Sequence, residues 1–161
     1  MNKIKKFAPL AAAVAAVIAL IMIFLPAIVV EEETYSGLNV IFGYSEKRES
    51  ALITLETEIF AFSFMNLLTY LLVIAGGVCG VLAFIKSDKR IFAWIAAACL
   101  LVAGIFFFCS VGFTVLSKGL VDLGVTKENF KLGAGAIVGG IVSILGALCA
   151  ITPTVLKALK K

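Results

Sequence analysis

The chain has 161 residues, of which 62% are hydrophobic and only 15% charged, with a net charge of +4. A soluble domain has about a quarter charged residues, whereas here four runs, 7–30, 59–85, 91–117 and 132–156, contain no Asp, Glu, Lys or Arg. Each is longer than the roughly 20 residues that carry a helix across a bilayer core. That argues against a soluble domain, and the lack of apolar–polar alternation argues against a porin-like barrel.

The first run follows the basic start MNKIKK. It exceeds a secretory signal core, and LPAIVVEEE offers no small-x-small cleavage site, so an uncleaved first span over 7–30 is expected. Pro9 falls in its first turn and Pro26 near its far end, where proline bends or ends a helix. Ala11, Ala12, Ala13, Ala15 and Ala16 make one half of this helix thin, which lets neighbours approach closely.

The segment 31–61 is the first outer loop. GLNVIFG reads as a strand, GYSEKRES as a polar connection, and ALITLETEI as a second strand with period-two alternation. Ala51, Ile53, Leu55, Thr57 and Ile59 fall on one face; Leu52, Thr54, Glu56 and Glu58 fall on the other. Two strands are marginal alone, so the apolar face is expected to rest on the helix ends or on a partner's sheet. Glu49, Leu52, Thr54, Glu56 and Glu58 form the candidate recognition surface.

The second span, 62–85, begins behind Phe60, Phe62 and Phe64, an aromatic spacing that suits a membrane interface. IKSDKR is a tight turn, making the second and third spans antiparallel neighbours. The third span, 91–116, starts with Phe92 and Trp94 at the inner interface. A short outer loop, 117–131, precedes the fourth span, 132–156, which has Pro153 near its inner end. The expected fold is an all-α membrane protein: one membrane domain, 1–161, forming an antiparallel four-transmembrane-helix bundle with a small extracellular β-hairpin between helices 1 and 2.

Small residues recur on two spans: Gly135, Gly139, Ser143 and Gly146 on the fourth, Gly76 and Gly80 on the second. This spacing allows close backbone packing. Packing within the chain's own bundle is the favoured use, with a homo-oligomer as the alternative. Asn66, Thr69, Ser110, Thr114, Ser143 and Thr152 are the polar groups at membrane depth, and hydroxyls there commonly bond their own helix or a neighbour. The chain has no histidine and four cysteines, Cys79, Cys99, Cys109 and Cys149, all inside apolar runs with no C-x-x-C pair. No catalytic, cofactor-binding or metal-binding residue is assigned, and no enzyme activity or cofactor is expected. Glu56 and Glu58 stand two apart but face water, which does not raise a carboxyl pKa for acid–base work. Glu31, Glu32 and Glu33 suit solvation at a membrane exit, with weak divalent-cation binding as the sharper alternative.

Charge distribution sets the expected threading. Both termini and the middle turn hold nine basic residues and one acid, Asp88; the outer loops hold five basic and nine acidic residues. The positive-inside bias then puts both termini in the cytoplasm of a multi-pass plasma-membrane protein. Their lysines would touch anionic lipid headgroups, and the basic segments are too short for nucleic acid. Lysine outnumbers arginine and the loops are terse, which leans toward a bacterial membrane.

Four spans with a strand-bearing first loop and the pair Gly37-Leu38 in Tyr35-Ser36-Gly37-Leu38-Asn39 resemble the claudin-like four-helix membrane proteins. Asn39 stands where that family has tryptophan, and its two loop cysteines are absent. The resemblance implies adhesion, barrier formation or partner organisation through the outer loops. The functional expectation is a non-enzymatic membrane protein whose hairpin binds a partner protein or envelope component. The alternatives are an accessory subunit of a transporter or channel, joined through the fourth span's small residues, and an autonomous small-solute pore.

Overall fold

The structure is a computed structural model that describes residues 2–30, 33–50, 53–85, 90–122 and 126–158. Four helices are long and apolar enough to cross a membrane: α1 (Asn2–Ile21, prolonged by a 3-10 turn at Met22–Phe24), α3 (Phe64–Ile85), α4 (Arg90–Phe108) and α7 (Ala134–Ala158). Between 28% and 44% of each apolar window is buried inside the chain. The remaining apolar surface, including Val14, Val17, Leu71, Val78, Ile105 and Leu145, faces outward. Outward apolar faces all round suit helices solvated by lipid.

The helices form a ring. α1 packs on α3 and α7, α4 packs on the same two, and α1 and α4 barely meet. Every wall of the ring is closed by a glycine against a neighbour. A Cβ at Gly80 would stand 3.2 Å from the Pro9 carbonyl oxygen and 3.3 Å from Ala13 N, and one at Gly77 2.9 Å from Ala16 Cβ. Gly76 presses on Leu100 of α4, and Gly146 on Ala15 of α1. α4 and α7 approach each other through glycines on both sides: a Cβ at Gly104 would lie 3.1 Å from the Gly140 oxygen, and one at Gly140 3.2 Å from the Gly104 oxygen. Between these walls lie buried alanines (Ala12, Ala16, Ala19, Ala96, Ala103, Ala136, Ala147 and Ala150), with Tyr70, Val73, Leu100 and Phe107 as the large core side chains.

At the other end of the ring the connections fold into a cap of two three-stranded sheets. β1 (Pro26–Val30) is the centre of the first, between β2 (Glu33–Ser36) and β6 (Phe130–Leu132); β4 (Ile53–Ala61) is the centre of the second, between β3 (Tyr44–Ser50) and β5 (Val115–Leu116). All the pairings are antiparallel. Each sheet takes two strands from the first loop and one from the second, so the two loops fold as one body.

Several segments differ from the sequence reading. The first helix starts at Asn2, which places Pro9 inside it rather than in its first turn. It gives way before Pro26, and 26–30 is strand, not span. The third helix breaks at Cys109 into a short α5 (Ser110–Phe113) and then strand, and Leu132 lies in β6 ahead of α7. The expected strand GLNVIFG is instead the helix α2 (Gly37–Phe42), and the expected connection GYSEKRES supplies strand β3.

The reason for the helix lies in its caps. Ser36 Oγ accepts from Asn39 N at 3.4 Å, satisfying an amide that the first turn leaves open. Gly43 ends the helix with φ 92° and its amide on the Asn39 carbonyl, a conformation that glycine adopts without a Cβ penalty. A helix also splits VIF usefully: Val40 and Ile41 go inward while Phe42 is exposed. Residues 51–52 and 86–89, which include Leu52 of the candidate surface and most of the IKSDKR turn, lie outside the described residues.

The α4–α7 contact should be the least tolerant point of the ring. Gly104→Ala is expected to cost about 1–3 kcal/mol, the usual penalty for overpacking a close core contact, in reversible unfolding in mixed micelles. Gly112, which has nothing within 4 Å of its Cβ position, is the control: Gly112→Ala should leave the transition unchanged.

Candidate functional site

The cap is the part of the chain where polar groups, aromatic rings and strand edges converge. Its core is Ala27, Ile28, Tyr35, Val40, Phe60 and Phe130. Phe60 is fully buried, with Tyr35 edge-on at 4.8 Å and Phe130 edge-on at 6.1 Å between ring centroids. Such a pair adds about 0.5–1.5 kcal/mol beyond area burial. Phe60 thus joins strands from both sheets. Of the three phenylalanines read as an interfacial belt, Phe62 and Phe64 are exposed and Phe60 is core.

A bulge explains why Phe60 rather than Ile59 turns inward. The β3–β4 register runs Ser45↔Glu58 and then Tyr44↔Phe60, leaving Ile59 as an extra residue. An extra residue resets which side of the strand faces the core. The bulge is held from the second loop: Ser117 N donates to the Ile59 carbonyl at 3.2 Å, and Ser117 Oγ donates to the Glu58 carbonyl. The hairpin is therefore clamped at its base by a side chain 59 residues downstream in sequence.

Immediately beyond the clamp, Thr57 and Glu58 are exposed. The register sets Glu49 opposite Thr54, Lys47 opposite Glu56 and Ser45 opposite Glu58. Of the candidate recognition residues Glu58 is exposed, and the side chains of Glu49, Thr54 and Glu56 lie outside the described residues. Where the arm meets the second loop, Thr57, Glu58, Val115, Leu116, Ser117 and Lys118 line a groove of about 490 Å³.

Under the cap lies a polar floor. Ser63 caps α3: its Oγ accepts from Asn66 N at 3.4 Å and from Asn66 Nδ2 at 3.1 Å, and donates to the Phe113 carbonyl at 2.6 Å. Asn66 Nδ2 also reaches the Ser110 carbonyl at 3.4 Å. These bonds tie the start of α3 to the break after α4. Thr69, Thr114 and Thr152 donate to carbonyls of their own helices, four residues back. A cavity of about 10 Å³ sits between this floor and the cap, beside Asn66, Tyr70, Phe107 and Ser110.

The predicted packing residues are all buried against the chain's own helices. Gly135 meets Met22 and Pro26, Gly139 the Phe107 ring, Gly146 Ala15 and Leu100, Gly76 Leu100, and Gly80 Pro9 and Ala13; Ser143 is fully buried. Gly104 and Ser63 escaped the sequence reading. A stripe of Ala96, Ala97, Leu100, Ala103, Gly104 and Phe107 at three- and four-residue spacing marks the first, and Ser63-x-x-Asn66 at a helix start marks the second. All four cysteines are free thiols. Glu33 is exposed, whereas Glu31 and Glu32 lie outside the described residues, and no cluster of metal-ligating side chains is found among the described residues.

No protein-family model matches the chain, and no curated protein matches its sequence.

The floor separates two serines of opposite standing. Ser63→Ala removes three hydrogen bonds and should cost about 1–3 kcal/mol, whereas Ser143→Ala removes a buried hydroxyl without a partner among the described residues and should be neutral or stabilising. Unfolding midpoints of the two variants in one detergent test this ordering.

Proposed function

We propose that this chain is a non-enzymatic multi-pass membrane protein whose β3–β4 arm is an extracellular recognition element for a partner protein or envelope component. The observation that carries the reading is the clamp: Phe60 is locked in the cap core and the Glu58 and Ile59 carbonyls are held by Ser117, while Thr57 and Glu58 immediately beyond are exposed. An anchored stem with an open arm loses little conformational freedom on binding, which favours affinity. Glu56 and Glu58, two apart in the sequence of β4, fit a partner that presents basic or amide groups, and the outer edge of β3 suits strand addition.

Four helices of suitable length and hydropathy support a multi-pass membrane protein. Descending contacts between ascending residues, Pro9 and Ala13 with Gly80 but Ala16 with Gly77, and Met22 with Gly135 but Ala15 with Gly146, support an antiparallel bundle. The cap then lies opposite the lysine-bearing ends, and the positive-inside bias assigns those ends to the cytoplasm. The claudin-like resemblance points the same way, toward adhesion or partner organisation through the outer loops. A bacterial plasma membrane remains part of this proposal on composition alone.

The accessory-subunit alternative relied on the fourth span's small residues, and those already contact α1 and α4. A subunit contact would need another face. The pore alternative draws no support from a core filled by Tyr70, Val73, Leu100 and Phe107.

Replacing 46–57 with a Gly/Ser linker of equal length should abolish the adducts formed in intact cells by a membrane-impermeant crosslinker while leaving the protein in the membrane fraction. An unchanged set of adducts would sink the recognition reading. Threading has its own check: in a cysteine-free background, Ser45→Cys should react with an impermeant maleimide from outside, and Lys3→Cys should not.

A further inference from the structure

Two buried serines, Ser110 and Ser143, carry hydroxyls with no hydrogen-bond partner among the described residues. An unpaired buried hydroxyl costs as much as a lost hydrogen bond, and native structures give such groups a partner. What lies beside each serine differs. Ser110 lines the cavity of about 10 Å³ between the polar floor and the cap, and Ser143 is not among the residues around it. That volume is about what one water molecule needs. Every residue lining the cavity is buried, and none is charged. An ion would find no counter-charge there, whereas a small neutral molecule needs none.

The hydrogen bonds around the cavity show what its walls still offer. Asn66 Nδ2 has two hydrogens, and both have acceptors: Ser63 Oγ at 3.1 Å and the Ser110 carbonyl at 3.4 Å. The other half of that amide, Oδ1, can only accept. Tyr70 brings a second hydroxyl to the same place. A Cβ at Gly37 would lie 2.6 Å from it, and Gly37 is itself part of the cavity wall. The Thr69 hydroxyl is engaged elsewhere, on the Met65 carbonyl at 3.0 Å. The wall therefore presents one acceptor, Asn66 Oδ1, and two hydroxyls, Ser110 and Tyr70, each able to donate or accept. Buried water in proteins makes about three hydrogen bonds.

We propose that this cavity is a binding site for one water molecule, which accepts from the Ser110 and Tyr70 hydroxyls and donates to Asn66 Oδ1. The volume selects a single water over any larger polar molecule, and an apolar occupant would leave all three groups unpaired. Ser110 opens α5, whereas Asn66 and Tyr70 belong to α3. The water thus joins the two helices beneath the cap and extends the polar floor by the one group that the chain's own side chains leave unsatisfied there.

A crystal structure of the full chain, with ordered water resolved on the cap surface, tests the site directly. The expected result is a density peak within hydrogen-bond distance of Ser110 Oγ, Asn66 Oδ1 and the Tyr70 hydroxyl. The unfolding equilibrium in one detergent supplies a second readout. Ser110→Ala should lower the folded-to-unfolded ratio about tenfold, the effect of one lost buried hydrogen bond, because the water loses a partner. Ser143→Ala, which removes the other unpaired hydroxyl, should not lower it. Tyr70→Phe keeps the ring edge-on to Phe107 and should lower the ratio as Ser110→Ala does, which gives a readout even where Ser110→Ala fails to fold. No density at these atoms, or serine and tyrosine variants as well tolerated as Ser143→Ala, overturns the site. Either result leaves the recognition reading standing, since that reading rests on the arm.

Discussion

Close approach of helix backbones holds this molecule together, and the Gly104–Gly140 contact is its centre. Between helices solvated by lipid, hiding one apolar face from another gains little, because acyl chains are as apolar as leucine. What remains is dispersion, which requires surfaces in contact at van der Waals distance. Alanine and glycine stripes on α1, α3, α4 and α7 supply that contact with almost no side-chain entropy to lose. Small residues fill most of the inward sides around Tyr70, Val73, Leu100 and Phe107, while many of the bulky apolar residues face outward.

The cap follows from the same packing. Its two sheets are completed by β5, which leaves α4 by way of α5, and by β6, which leads into α7. Helix packing therefore places the two short strands that the first loop needs. The chain after Pro26 shows why they are needed. Ile28, Val29 and Val30 have left the helix for a strand, and their amides and carbonyls need new partners. β2 and β6 provide them on both sides. Gly133, directly after β6, lies so close to the Pro26 carbonyl that no side chain would fit, and its amide reaches the Ala27 oxygen at 2.8 Å.

A stiff cap on a thin-walled bundle constrains function. Most of the buried polar groups among the described residues sit at the helix ends beneath the cap, where they tie broken helices together. Lys127 illustrates how the second loop is drawn into the same body: its Nζ donates to the Gly112 carbonyl at 3.0 Å, tying a 3-10 turn back to α5.

The existence of four helices long and apolar enough to cross a membrane was decided by the sequence alone. So was the bias of lysine toward one set of loops. Hydropathy over about 20 residues and local charge are sums over neighbours in the chain, and no distant contact can alter them. The packing role of Gly76 and Gly80 on α3 and of Gly139 and Gly146 on α7 was legible for a related reason, since helical periodicity puts each pair on one stripe of its own helix whatever lies opposite. Tertiary structure alone decided that 26–30 is strand, that Phe60 rather than Ile59 is the anchor, and that the fourth span's stripe is covered by α1 and α4. Each of these depends on a partner far away in sequence, as with Ser117 on the β4 bulge and Phe113 on Ser63. Backbone groups that have left a helix take whichever conformation finds them hydrogen-bond partners, and local propensity carries no record of where distant partners will be.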